Sequence, residues 1–220
     1  VKQLNKLSPF CLLLVFAPAI VTTIVYWSVW SSTYDIFLVY AFANWVTLAI
    51  LYLLLRRFGL LREVFLFPRP QRRDWILALA AFIIGVFGAY PIAQVINASL
   101  GVPMRMLVFS INKIEYLLTI LFYAVITAPF AEEVLFRGLC MGYLIARGVS
   151  PFLAGGLALA GFALMHFPPW GLGGVVFILL WGTLPTMLRL RRNSLTPGWL
   201  MHAMNNLFAY ILLPLALSLT

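Results

Sequence analysis

The chain has 220 residues, of which 64% are hydrophobic and 10% are charged. A soluble domain contains about 45–50% apolar and about 25% charged residues, and a disordered chain combines low hydrophobicity with high charge, so this composition excludes both classes. The basic residues behind the net charge of +9 lie in short loops between apolar runs, which indicates membrane topology and not the binding of nucleic acid.

Seven apolar segments follow one another along the chain. A helix needs about 20 mostly apolar residues to cross the hydrocarbon core of a bilayer, and it can cross because it satisfies its backbone hydrogen bonds internally. We therefore predict an all-α integral membrane protein that forms one membrane domain over residues 1–220. The predicted spans cover residues 9–30, 36–55, 75–97, 116–136, 151–167, 171–190 and 196–217. The fourth of them, residues 116–136, has room to extend to residue 147.

The distribution of positive charge predicts the orientation of these spans. If the N-terminus lies in the cytoplasm, all but two of the 15 Lys and Arg residues fall on the cytoplasmic side, and only Arg105 and Lys113 lie outside. The positive-inside rule therefore predicts an N-in, C-out orientation.

We divide the domain into a three-helix part, residues 1–114, and a part that carries the catalytic candidates, residues 115–220.

The predicted spans contain few ionisable residues. Glu132 and Glu133 lie in the fourth span, and the two histidines of the chain, His166 and His202, lie at or within later spans. Ionisable groups inside a membrane are costly and are candidates for function by default. A polar network that only holds helices together is the structural alternative, and the number and spacing of these groups favour a catalytic site.

Helical spacing separates the two glutamates. Glu133 and Arg137 are four residues apart and share a helix face, in the order that favours an ion pair. Glu132 points about 100° away from Glu133, which leaves it free for chemistry. His202 and Asn206 are also four residues apart, so an imidazole and an amide lie side by side, and both can donate hydrogen bonds.

The depth of Glu132 and His166 can be compared through the turn between their spans. If spans four and five form an antiparallel hairpin that turns at residues 148–151, both residues lie about 25 Å from the turn, because each helical residue rises about 1.5 Å. The spacing therefore predicts that Glu132 and His166 lie at the same depth and share one site.

These residue types favour hydrolysis of an amide bond. A carboxylate can act as a general base on water, which gives this role to Glu132, and His166 can help to position the water. The imidazole of His202 and the amide of Asn206 can hold a developing oxyanion.

A metal site is the alternative chemistry for the same residues. Two histidines and a carboxylate suit zinc or another divalent ion, and the ligands would be Glu132, His166 and His202. The HExxH motif is absent, so we prefer a site without a cofactor.

Three short motifs carry a resemblance to a known family. They have the patterns EExxxR, FxxxH and HxxxN, and each lies on a predicted span. In this order, over about residues 120–215, they resemble the CPBP family, the CAAX protease and bacteriocin-processing enzymes, also called Abi proteins. The motif residues are Glu132, Glu133, Arg137, Phe162, His166, His202 and Asn206.

The resemblance implies an all-helical intramembrane endopeptidase whose catalytic cavity opens toward the cytoplasmic side. By similarity, Glu132 activates water, His166 assists, and His202 and Asn206 stabilise the oxyanion. The supporting residues are Glu133, Arg137 and Phe162. Members of the family have been described both as metal-dependent and as glutamate proteases, so the resemblance leaves zinc or another divalent metal open.

The resemblance also implies the kind of substrate. Family members include type II CAAX prenyl endopeptidases, and others act in bacteriocin immunity or maturation or process C-terminal sorting signals. We therefore expect a membrane-embedded or lipidated protein or peptide as substrate, a lipid bilayer as surroundings, and no nucleic acid. The expected location is a prokaryotic plasma membrane, which the chain crosses several times.

Two functions from other classes fit part of the pattern. A proton-coupled transporter could use Glu132 and His166 as a relay, but transporters are built from paired repeats with broken helices, and the sequence contains no internal repeat. A non-catalytic immunity or scaffold protein could keep the motifs and bind a partner peptide. Substitution of Glu132 or His166 separates both from a protease.

Overall fold

A computed structural model describes residues 2–29, 33–105 and 113–218. The described residues form helices joined by short loops, and none of them forms a strand. The predicted all-helical class is confirmed.

The helices are numbered here in chain order, after two short 3₁₀ turns at Lys2–Lys6 and Pro9–Leu12. They are α1 (Leu13–Val29), α2 (Thr33–Arg57), α3 (Leu61–Val64), α4 (Arg72–Leu100), α5 (Ile114–Ala146), α6 (Pro151–Met165), α7 (Phe167–Arg192) and α8 (Thr196–Leu217). π-helical segments interrupt three of them, at Gly85–Ala89 in α4, at Ile120–Thr127 and Glu133–Cys140 in α5, and at Phe208–Leu212 in α8.

Seven of these helices correspond to the seven predicted spans, and α3 is an additional short helix. Within the described residues, α2, α4, α5, α7 and α8 are long and apolar enough to cross a membrane. The apolar helices Pro9–Val25 and Pro151–Met165 are shorter. The multi-pass membrane character is therefore confirmed, whereas the number of crossings and the N-in, C-out orientation remain predictions.

The outer surface of the helix bundle is apolar. Large side chains such as Phe42, Phe87 and Phe152 are 71%, 75% and 72% exposed. Soluble proteins rarely expose wide apolar patches, whereas lipid solvates such side chains without cost. This surface agrees with a position in the bilayer.

The centre of the bundle is α5. Each residue from 131 to 139 is buried, which places both glutamates of the first motif deep inside the protein. A close contact with the end of α3 fixes this part of α5, because a Cβ atom on Gly138 would lie 2.6 Å from the carbonyl oxygen of Val64.

The hairpin predicted between spans four and five is present as α5 and α6. The chain turns at Gly148, which has a φ of 89°, and the Ser150 hydroxyl oxygen accepts a hydrogen bond at the start of α6. The rings of Phe136 and Phe162 lie 5.2 Å apart, so the two helices pack side by side. This arrangement brings the FxxxH motif next to the EExxxR motif.

Candidate active site

The two glutamates lie where α5 changes its helical form. Glu132 ends the α-helical stretch Ala128–Glu132, and Glu133 begins the π-helical stretch Glu133–Cys140. They are 5% and 0% exposed. π-helical segments occur frequently at functional sites, because they change the direction of side chains along the helix.

Glu133 forms the predicted ion pair with Arg137, at 3.4 Å between Oε1 and Nη1. The Arg137 guanidinium also donates to the Thr186 hydroxyl at 3.4 Å and to the Gly182 carbonyl at 3.3 Å. It lies 4.3 Å from the ring centre of Phe162. A buried charge is tolerated only when it is paired and hydrogen-bonded, so these contacts explain how a fully buried arginine fits in the bundle.

His202 lies between the two carboxylates. Its Nε2 atom is 3.5 Å from Oε2 of Glu132, and its Nδ1 atom is 3.4 Å from Oε1 of Glu133. The ring packs against Trp181, with the ring centres 4.7 Å apart. His202 on α8 therefore joins the two glutamates of α5, a contact that the sequence analysis did not predict.

His166 follows the last residue of α6. Its Nδ1 atom is 2.8 Å from the carbonyl oxygen of Phe162. A carbonyl oxygen only accepts hydrogen bonds, so Nδ1 carries the proton, and Nε2 of the neutral ring is left as an acceptor. The ring centre of Trp170 lies 5.0 Å away, which limits rotation of the imidazole.

Asn206 is tied to the backbone of α5. Its Nδ2 atom donates to the carbonyl oxygen of Ala124 at 2.9 Å, and its Oδ1 atom accepts a weak hydrogen bond from Asn205 at 3.5 Å. The amide nitrogen carries a second hydrogen. Asn206 therefore has a fixed orientation, and its amide retains one hydrogen that can be donated to a ligand.

One cavity of about 510 Å³ joins four of the predicted residues. This volume is typical of a binding site for a small molecule or a peptide segment. Glu133, Arg137 and Phe162 lie behind its wall and not in it, as expected for supporting residues. The lining includes Glu132, His166, His202 and Asn206, together with Thr22, Thr23, Tyr40, Arg105, Trp170, Trp181, Asn205 and Tyr210.

The sequence analysis missed Tyr40, which lies on α2. Its hydroxyl donates a hydrogen bond of 2.8 Å to Oε1 of Glu132. A tyrosine in an apolar span has no motif around it, so no local signal could have distinguished it from a packing residue. The three-helix part, residues 1–114, thus contributes directly to the site.

The metal alternative needs Glu132, His166 and His202 to surround one point. Within the part of the chain that the structure describes, no three His, Cys, Asp or Glu side chains come together as ligands. We therefore derive no step through a metal.

Comparison with known families gives one match. Residues 113–208 match the family model for the type II CAAX prenyl endopeptidase Rce1-like proteins. These 96 residues, fewer than half of the 220, are similar to that family. The matched stretch runs from the start of α5 into α8, and it contains all the motif residues. The comparisons with curated proteins and with solved structures gave no match.

The matched family model describes type II CAAX prenyl endopeptidases, in agreement with the resemblance seen in the sequence. The helices of the bundle agree with a multi-pass protein of the membrane. Tyr40 lies outside the matched residues, although its hydroxyl is hydrogen-bonded to Glu132.

Proposed function

We propose that the chain is an intramembrane endopeptidase in which Glu132 activates a water molecule. The observation that carries this proposal is the cavity, which collects Glu132, His166, His202 and Asn206 from three helices. The hydrolysed bond is a peptide bond of a membrane-embedded or lipidated protein, in a prokaryotic plasma membrane.

The first step is the attack of water on the peptide carbonyl. The Glu132 carboxylate takes a proton from water, and the oxygen of this water bonds to the carbonyl carbon. His166 supports the step because its free Nε2 atom can accept a hydrogen bond from the same water. Tyr40 holds the other carboxylate oxygen of Glu132 and so fixes the direction of the base.

The second step is the collapse of the tetrahedral intermediate. The negative charge on its oxygen needs donors that are already in place. The second amide hydrogen of Asn206 supplies one donor. The Nε2–H of His202 supplies the other, because the proton that Glu132 has taken up neutralises its carboxylate and weakens the contact between Nε2 and Oε2. The C–N bond then breaks, and the leaving amine takes the proton that Glu132 holds, so that the glutamate returns to its ionised form.

Glu133 and Arg137 support the site from behind. Glu133 contacts the ring of His202 and is in turn paired with Arg137. Loss of either charge would leave the other buried without its partner, which is strongly unfavourable. The pair therefore fixes His202, and through it the second oxygen of Glu132.

The substrate can be identified by comparing membrane peptides in cells that produce the wild type or Glu132→Gln. We expect a cleaved peptide only with the wild type, as detected by mass spectrometry, and Glu115→Gln serves as control because Glu115 is an exposed residue at the start of the same helix. Identical peptide profiles for the wild type and Glu132→Gln would contradict a protease and favour a binding or transport function.

The preference for a site without a cofactor has its own test. Purified protein should keep its cleavage rate after treatment with a chelator, and elemental analysis should find no stoichiometric metal. An ion whose binding is lost in His166→Ala and His202→Ala would contradict this preference.

A further inference from the structure

We propose that Arg105 binds a carboxylate of the substrate, so that the candidate active site selects peptides with an acidic group a few residues from the cleaved bond. The inference deepens the proposed function and rests on it for the position of that bond. It gives a role to a residue that belongs to none of the three motifs and lies outside residues 113–208.

Arg105 reaches the cavity from the connection that follows α4. Its side chain lines the same cavity as Glu132 and His166. Its backbone amide donates to the carbonyl oxygen of Trp170 at 3.0 Å, and the ring centre of Trp170 lies 5.0 Å from that of His166. Arg105 and His166 therefore contact the same residue, and a few residues of extended peptide, at about 3.3 Å each, bridge the space between them.

The side chain of Arg105 lies beside a glycine that leaves room for it. Gly171 has a φ of 68°, in the left-handed region that favours glycine. A Cβ atom at this position would lie 3.6 Å from Nε of Arg105 and 3.8 Å from its Cγ and Cδ atoms. A larger side chain at position 171 would therefore compete with the arginine for the space beside the cavity.

The charge of Arg105 has no acidic partner among the side chains that the structure describes. None of their carboxylates forms an ion pair with it. Of the described residues that line the cavity, Arg105 is the only Lys or Arg, and much of the lining is apolar, with side chains such as Met165, Phe177 and Ile178. The few polar groups of such a cavity determine which ligand binds and in which orientation. An unpaired cation in this lining therefore favours a ligand with an anionic group.

A carboxylate is the anionic group that an unmodified peptide brings to this position. The planar guanidinium can donate two parallel hydrogen bonds to the two oxygens of a carboxylate. A peptide carries this group at its C-terminus and on the side chains of Asp and Glu. When Arg105 binds the carboxylate, it fixes the peptide along the cavity, and the distance from Arg105 to Glu132 then selects the bond that is cleaved.

Peptide binding to purified Glu132→Gln protein in lipid vesicles tests this role without cleavage. The probe is an equimolar pool of apolar pentapeptides, each made as the free acid and as the C-terminal amide, and bound peptides are quantified by mass spectrometry. A second pool of C-terminal amides carries one internal Glu or the matching Gln, and it distinguishes a side-chain carboxylate from the C-terminal one. Arg105→Gln and Arg105→Lys are compared in this background with Lys113→Gln, the control, because Lys113 is exposed, lies in the same connection between α4 and α5 and does not line the cavity.

We expect the acidic peptides of at least one pool to bind about tenfold or more tightly than their neutral partners, because charge-assisted hydrogen bonds are the strong ones. Arg105→Gln should abolish this preference, Arg105→Lys should retain part of it because it keeps the charge without the planar fork, and Lys113→Gln should leave it unchanged. Equal binding of acidic and neutral peptides, no binding of either, or an unchanged preference in Arg105→Gln would overturn the inference. If the wild type cleaves no peptide and the Arg105-dependent preference is present, hydrolysis is refuted and the carboxylate site stands.

Discussion

Glu132 and Glu133 are neighbours in the sequence, yet they have different surroundings. Glu132 lines the cavity and accepts a hydrogen bond from Tyr40, whereas Glu133 is fully buried beside Arg137. The 100° between successive residues of a helix predicted from the sequence that these two side chains point in different directions. The contact of both glutamates with His202 depends on the packing of α8 against α5, which local spacing does not determine.

Tyr40→Phe should lower kcat about tenfold or more with little change in KM, because a hydrogen bond to an ionised group contributes about 1.5–3 kcal/mol. Phenylalanine keeps the ring in the cavity wall, so substrate binding should be retained. Steady-state kinetics measures kcat and KM separately. Tyr52→Phe on the same helix is the control, because Tyr52 is 44% exposed. Equal kcat values for the two variants would refute the positioning role of Tyr40.

Arg137→Met should reduce the stability of the fold by about 3–5 kcal/mol, because it leaves the carboxylate of Glu133 buried without its partner. Thermal unfolding in detergent measures the loss. The double variant Glu133→Gln with Arg137→Met should recover part of it, since the unpaired charge is then removed. A double variant as unstable as Arg137→Met alone would show that the ion pair is not the cause.

At the scale of helices, the sequence predicted much of the architecture. The seven predicted spans correspond to helices, and the hairpin at residues 148–151 joins α5 to α6 as expected. Apolar length and turn residues are local properties, so they can be seen in the sequence. The π-helical segments could not be predicted, because they arise from packing between helices, and neither could the short helix α3.

The contact between α3 and α5 can be tested through two glycines. Gly138→Ala should lower the unfolding temperature, because its Cβ atom would meet the backbone of Val64 at 2.6 Å, and overpacking costs about 1–3 kcal/mol. Gly156→Ala on α6 is the control, since nothing lies within 4 Å of its Cβ position. Equal unfolding temperatures for the two variants would contradict the close approach of α3.

At the scale of the whole molecule, composition and charge carry different information. The apolar content predicted a membrane protein, and the distribution of positive charge predicted its orientation. Because so few charges remain inside the spans, the candidate site stood out in the sequence. Tyr40 and Arg105 did not, since only the folded chain brings these two residues to the cavity.

The central claim is that Glu132 is the base of a peptide hydrolase. The most direct measurement is kcat/KM for an identified peptide substrate, with purified protein in lipid vesicles, comparing the wild type, Glu132→Gln and Glu115→Gln. We expect kcat/KM to fall about 10²–10⁴-fold in Glu132→Gln, as is typical when a general base is removed, although the variant remains folded. Glu115→Gln should cleave at the wild-type rate. Cleavage by Glu132→Gln at the rate of Glu115→Gln would contradict the account.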